Sequence, residues 1–92
     1  MRAPGVKWTL VARTAWHSHP VGQVLYAVSG VGRVQLEGEP VQVLNPGDTA
    51  MIPPNTRHWH GAAPDQGASQ LTFYGGTIEW GEAVTDEQYR GK

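Results

Sequence analysis

Short alternating runs broken by glycine and proline dominate the chain, and helical periodicity is nearly absent. Val6 to Val11 is an extended apolar run. Thr14 to His19 alternates until Pro20, which lacks the N–H that a strand ladder needs. Gln23 to Val28 forms the next run and closes at Ser29-Gly30. From Gly32 to Glu37, Val34 and Leu36 fall on one side while Arg33, Gln35 and Glu37 fall on the other, the period of a half-buried strand. Glu37-Gly38-Glu39 predicts a hairpin tip before Val41 to Leu44, and Asn45-Pro46-Gly47-Asp48 predicts a tight turn. Thr49 to Ile52 and Arg57 to Gly61 are short strands separated by Pro53-Pro54-Asn55, and Leu71 to Tyr74 with Thr77 to Trp80 predict a final pair. The single helical signal is at the end, where Thr85 and Gln88 have capping-box spacing.

Many short strands at regular spacing predict an all-β sandwich or barrel. A length of 92 residues suits one domain, 1–92, and neither an internal repeat nor a low-complexity tract divides it. Composition then removes several function classes. The formal net charge is −1 with Lys and Arg scattered, so no basic stripe is present to capture nucleic acid. No apolar stretch is long enough to cross a bilayer and no signal-peptide pattern is present, so the expected location is cytoplasmic, away from membranes. Cysteine is absent, which excludes disulfides, thiolate metal sites and a cysteine nucleophile. Gly30-Val31-Gly32 begins a GxG pattern, but no third glycine and no helix follow, which argues against dinucleotide binding. The serines lack a nucleophile-elbow motif.

The chemistry lies in the histidines. All four fall in two pairs, His17-Ser18-His19 and His58-Trp59-His60. Side chains two apart on a strand share a face, so each pair sets two imidazoles on one side of a sheet. Neutral imidazole is the commonest metal ligand. Two such pairs facing each other across a barrel could surround one divalent ion, and Gln23, just past the Pro20-Val21-Gly22 turn, could return an amide oxygen to it. The competing reading is that the histidines are merely exposed or hydrogen-bonded strand residues. Trp16 and Trp59 alternate against these histidines and are expected to face away from the ion, either in ordinary packing or, preferentially, as anchors of an interface between two copies.

At these positions the sequence resembles the cupin superfamily. The first cupin motif is matched by His17, His19, Gln23 and Gly30, and the second by Gly47, Pro53, Asn55 and His58, with Asp48 after the first glycine. Asn55 stands in place of a glycine, and asparagine enters the left-handed region more readily than other non-glycine residues. Gln23 stands in place of the usual glutamate, which keeps an oxygen donor but removes a negative charge, so a bound ion would remain a stronger Lewis acid. The resemblance implies a jelly-roll-like cupin β-barrel with a short C-terminal helical turn and a metal-binding core of about residues 13–75.

The segments from Arg13 to Pro20, His58 to Pro64 and Val84 to Arg90 look like the small bacterial cupins that include manganese-dependent hydroxynitrile lyases. That resemblance implies metal ligation by His17, His19, Gln23 and His58, with His60 as the proton-transfer group. Gln70 stands where those lyases carry a further pocket histidine, a place from which it could orient substrate by hydrogen bonds. The implied activity is cleavage or formation of the C–C bond of cyanohydrins. Manganese is preferred through the resemblance alone, because three imidazoles and an amide oxygen also suit Fe, Co, Ni or Zn. A cupin-type oxidoreductase or dioxygenase and a non-enzymatic pocket for a small ligand are the alternatives, and a homodimer is expected for a cupin of this size.

Overall fold

Burial alternates along the strands with the period that the sequence pattern predicts, and this alternation builds two sheets around one core. The computed structural model describes residues 5–8, 13–63, 67–73 and 77–91. In chain order the elements are β1 (Gly5–Trp8), β2 (His17–Ser18), β3 (Gln23–Gly30), β4 (Gly32–Leu36), β5 (Gln42–Leu44), β6 (Thr49–Ile52), β7 (His58–Ala62), β8 (Ala68–Phe73), β9 (Glu79–Trp80) and α1 (Asp86–Tyr89). One antiparallel sheet has the order β1-β8-β3-β6, the other β5-β4-β7-β2-β9. In β3, Gln23, Leu25 and Ala27 point inward while Tyr26 and Val28 face out, and in β6 Ala50 and Ile52 point inward while Met51 faces out. The inward set joins Val34 and Leu44 in the core between the sheets, with Leu36 packed at its margin.

The chain passes from one sheet to the other at Val31, between two glycines. Gly30 has φ +72°, and a Cβ there would run into the Gly67 carbonyl; Gly32 leaves the space that the Gln70 amide occupies. Asn55 takes φ +58° in the Pro53-Pro54-Asn55 turn, the left-handed conformation expected of a residue standing in for glycine.

Three expectations change. The two sheets face each other without closing, since among the described residues no strand pairing joins them. The edge strands of the five-stranded sheet are only three and two residues long, which offers too few ladder groups to seal a barrel. Second, β8 and β9 do not pair with each other. β8 lies between β1 and β3, while β9 pairs with β2 in the opposite sheet. Of the expected strand Val6–Val11, residues 9–11 fall outside the described residues, as does Tyr74.

Third, Trp16 and Trp59 face away from the histidines as expected, but the chain's own tail covers them. They pack with Val84 and Tyr89, with Val41 at the margin. The capping box holds the tail in place: Gln88 N–H donates to Thr85 Oγ1 at 3.1 Å and Thr85 N–H to Gln88 Oε1 at 2.9 Å. Trp16 Nε1–H donates to the same Gln88 oxygen at 3.3 Å, and Trp59 Nε1–H to Gln35 Oε1 at 2.9 Å. The Tyr89 hydroxyl donates to the Ala62 carbonyl, and Arg13 lies over the Tyr89 ring while pairing with Asp86 at 2.8 Å. β7 is therefore buried along its whole length, with histidines on its inner face and Trp59 on its outer face. Among the described residues no helix is long and apolar enough to cross a membrane.

Candidate metal centre

The pairing of β2 with β7 sets His17 directly opposite His58 in the five-stranded sheet. His19 and His60 follow each of them two residues later on the same inward face. Gln23 begins β3 in the opposite sheet and reaches across the gap, and β8 beside it contributes Gln70 and Thr72. Seven polar side chains thus meet between the sheets, His17, His19, Gln23, His58, His60, Gln70 and Thr72, each no more than 5% exposed and none carrying a formal charge.

The structure brings together the four residues expected as ligands. One ring nitrogen each of His17, His19 and His58 lies within 4.8 Å of the others, a group that could hold a metal ion. His17 and His58 have ring centroids 4.3 Å apart. Gln23 Oε1 sits 2.9 Å from His58 Nε2. His60 stands outside this group, 5.6 Å from the His17 ring and stacked 6.2 Å from the His58 ring, where it meets the Gln70 amide.

Hydrogen bonds at the far side of the rings decide which atoms face the centre. His17 Nδ1 lies 2.9 Å from the Ala15 carbonyl, and His58 Nδ1 lies 2.8 Å from the Thr56 carbonyl. A carbonyl only accepts, so both rings carry their proton on Nδ1 and turn an unprotonated Nε2 inward. For His19, the Gln23 side chain and the Thr77 backbone lie beside the ring and partly offset the effect of its burial. Gln23 Nε2–H donates to Thr72 Oγ1 at 2.7 Å, which turns its oxygen toward the imidazoles. Oε1 of Gln23 and Nε2 of His58 therefore present lone pairs to each other.

Two lone pairs at that separation repel unless a cation lies between them. Bonds of about 2.1 Å to a common ion would put adjacent ligand atoms about 3 Å apart. The donor set fits a divalent transition metal.

The protonation states agree. Burial lowers the pKa of His17 and His19 and pushes that of His58 down to about 4, with neighbouring imidazoles adding to the effect at His17 and His58. Burial pushes His60 to about 3, helped by His17 and His58 and opposed by the nearby Gln70 amide. All four imidazoles are neutral at neutral pH, the state in which a ring nitrogen binds metal.

Comparison with known proteins identifies the family. The profile of the Cupin domain family matches residues 8–74. The chain belongs to the cupin family. Over 83 residues it is 47% identical to the (R)-mandelonitrile lyase of Granulicella tundricola, a match that covers 86% of this chain and 63% of that protein. A cupin-like protein from Thermotoga maritima superposes with a TM-score of 0.92 at 43% identity, covering 96% of this chain and 69% of that one. A DMSP lyase from Ruegeria pomeroyi shares the fold, with a TM-score of 0.70, 23% identity, and coverage of 90% of this chain and 39% of that one.

Sequence reasoning missed the residues that orient the ligands. Thr72 lies two past Gln70 on β8, so the alternation that marks Gln70 as inward also marks Thr72. The carbonyls of Ala15 and Thr56 carry no side-chain signal. Trp80 was also missed: it is the register partner of His17 and lies beside its ring.

Proposed function

We propose that this cupin is a divalent-metal-dependent lyase that cleaves or forms the C–C bond of cyanohydrins, with the ion held by His17, His19, Gln23 and His58. The convergence of three neutral imidazoles and one carboxamide oxygen on one buried point carries the reading. The 47% identity to a mandelonitrile lyase supports the choice of substrate. When bound there, a divalent metal such as manganese supplies Lewis acidity toward the hydroxyl or the departing cyanide, with no change of oxidation state.

The residues divide the remaining work. Gln23, being neutral, leaves the ion's charge uncompensated, so the site favours an anion such as cyanide. His60 takes the hydroxyl proton at its unprotonated ring nitrogen as the C–C bond breaks to aldehyde and cyanide, then returns it to cyanide as HCN. The Gln70 amide lies beside His60, where it can orient substrate by hydrogen bonds, but it holds no proton of its own to exchange. The exposed outer face of the four-stranded sheet, with Tyr26, Val28, Met51 and Leu71, supports association with a second copy, which sedimentation would test.

The deciding experiment is metal analysis of protein purified without chelator, followed by mandelonitrile cleavage without oxygen, for the wild type and His17→Ala. One metal per chain and cleavage in the wild type, both lost in the variant, support the reading. A His17→Ala protein that keeps its metal refutes the ligand assignment. Metal without cleavage refutes the lyase.

A further inference from the structure

Trp80 is 62% exposed, although its backbone is firmly held at the margin of the candidate site. β9, which carries it, is the terminal strand of the five-stranded sheet. Hydrogen bonds just beyond the residue tie that strand down: Gly81 N–H donates to the Trp16 carbonyl at 2.6 Å and Trp16 N–H donates to the Glu82 carbonyl at 3.0 Å. Arg57 pairs with Glu82 and lies over the Trp16 ring at 4.9 Å, which closes the clamp.

Register puts the indole where it matters. Trp80 is the cross-strand partner of His17, so both side chains project to the same side of the sheet. Their rings lie 5.0 Å apart at 44°, a contact that occupies part of the indole and leaves the rest open. Three residues earlier on the same segment, the Thr77 backbone lies beside the His19 ring. The stretch from Thr77 to Trp80 therefore forms the rim beside two of the three clustered imidazoles.

We propose that Trp80 is the specificity-determining wall of the site, and that the preferred substrate carries a flat aromatic group on the carbon bearing the oxygen that faces the imidazoles. This deepens the proposed metal-dependent reading and rests on it. The seven buried polar side chains of the site are imidazoles, carboxamides and a hydroxyl, and the indole adds a large apolar face beside His17. Aromatic rings gain from offset or tilted contact beyond the area they bury, whereas a saturated ring of similar size gains the area alone.

The test uses manganese-loaded protein and two probes with the same hydroxyl and carboxylate, mandelate and its cyclohexyl analogue, with binding measured by calorimetry and metal by elemental analysis. The wild type should bind mandelate about three- to tenfold more tightly than the cyclohexyl compound. Trp80→Leu should lose that preference while keeping one metal per chain, and Trp80→Phe should retain most of it. Mandelate should also quench indole emission in the wild type but not in Trp80→Leu. An unchanged preference in Trp80→Leu, or a metal-loaded wild type that binds both probes equally or not at all, overturns the proposal and leaves the metal site standing. Loss of metal in Trp80→Leu also overturns it, because Trp80 then serves only to pack His17. A wild type that binds no metal removes both readings, and the metal count separates that failure from the others.

Discussion

Acid should begin to destabilise the metal-free protein above the pH at which its carboxylates titrate. His58 has its pKa lowered from 6.5 to about 4, first by burial, then by the neighbouring His17 and His19. In the unfolded chain this imidazole takes up a proton as the pH falls through 6.5, while the folded chain refuses it until about 4. The unfolded state thus binds more protons across that window, and stability falls as the pH falls. A gap of about 2.5 units at 1.36 kcal/mol per unit gives about 3 kcal/mol lost by pH 4. His60, lowered to about 3, adds to the loss in the same direction, though not additively, because each imidazole's charge depresses the other. A domain of this size has about 5–14 kcal/mol in total, so the loss is a large fraction. Asp86, held low by its hydrogen bond to Arg13, also favours the folded state, but its contribution is lost only below its ordinary range near 3.8 and leaves this window untouched.

The assay is urea unfolding of chelator-treated protein, followed by tryptophan emission at several pH values between 7 and 4. His58→Gln should be less stable than the wild type at pH 7 but should show a shallower pH dependence. Saturating metal should raise stability at pH 7, by about 2.7 kcal/mol at one hundred times its Kd, and this gain should fade in acid as protons compete for the ligand nitrogens. Wild-type stability that stays level from pH 6.5 to 4 would refute the burial of neutral imidazoles on which the site depends.

Three substitutions test other parts of the argument. Gln23→Glu adds a charge to the donor set and should tighten divalent-metal binding tenfold or more in a chelator competition; unchanged affinity would remove Gln23 from the ligands. Gly32→Ala drives a methyl group into the Gln70 amide and close to the Gly61 carbonyl at 3.2 Å, and should cost about 1–3 kcal/mol in urea unfolding. Adding Gln70→Ala should restore part of that loss, and additive costs would rule out the clash. Tyr89→Phe removes the buried bond to the Ala62 carbonyl and should cost about 1–2 kcal/mol, while an unchanged urea midpoint would show that the tail is held by packing alone.

How far the site was legible follows from which of its features are local. Alternation is local, so the inward face of His17 and His19, and of His58 and His60, could be read from spacing alone. The left-handed turn at Asn55 and the capping box at Thr85 and Gln88 are local for the same reason, and both appear as expected. Partner choice is not local. Leu71 to Tyr74 and Thr77 to Trp80 are neighbours in the chain and read as a hairpin, yet β8 and β9 lie in different sheets, each paired with strands distant in the sequence. The same blindness explains the tryptophans. Spacing shows that Trp16 and Trp59 turn outward, but not that Tyr89 and Val84 return to cover them.

This division has a chemical consequence. The ligand side chains are written in the pattern of the strands, but what makes them ligands is written in the topology. Ala15 and Thr56 are each two residues from the histidine they orient, whereas Thr72 reaches Gln23 only because β8 returns to the site. A chain that kept all four histidines but lost the return of β8 would keep the motif. It would lose the lone-pair geometry, because Gln23 would then be free to turn its amide nitrogen toward His58 and satisfy that ring without a metal.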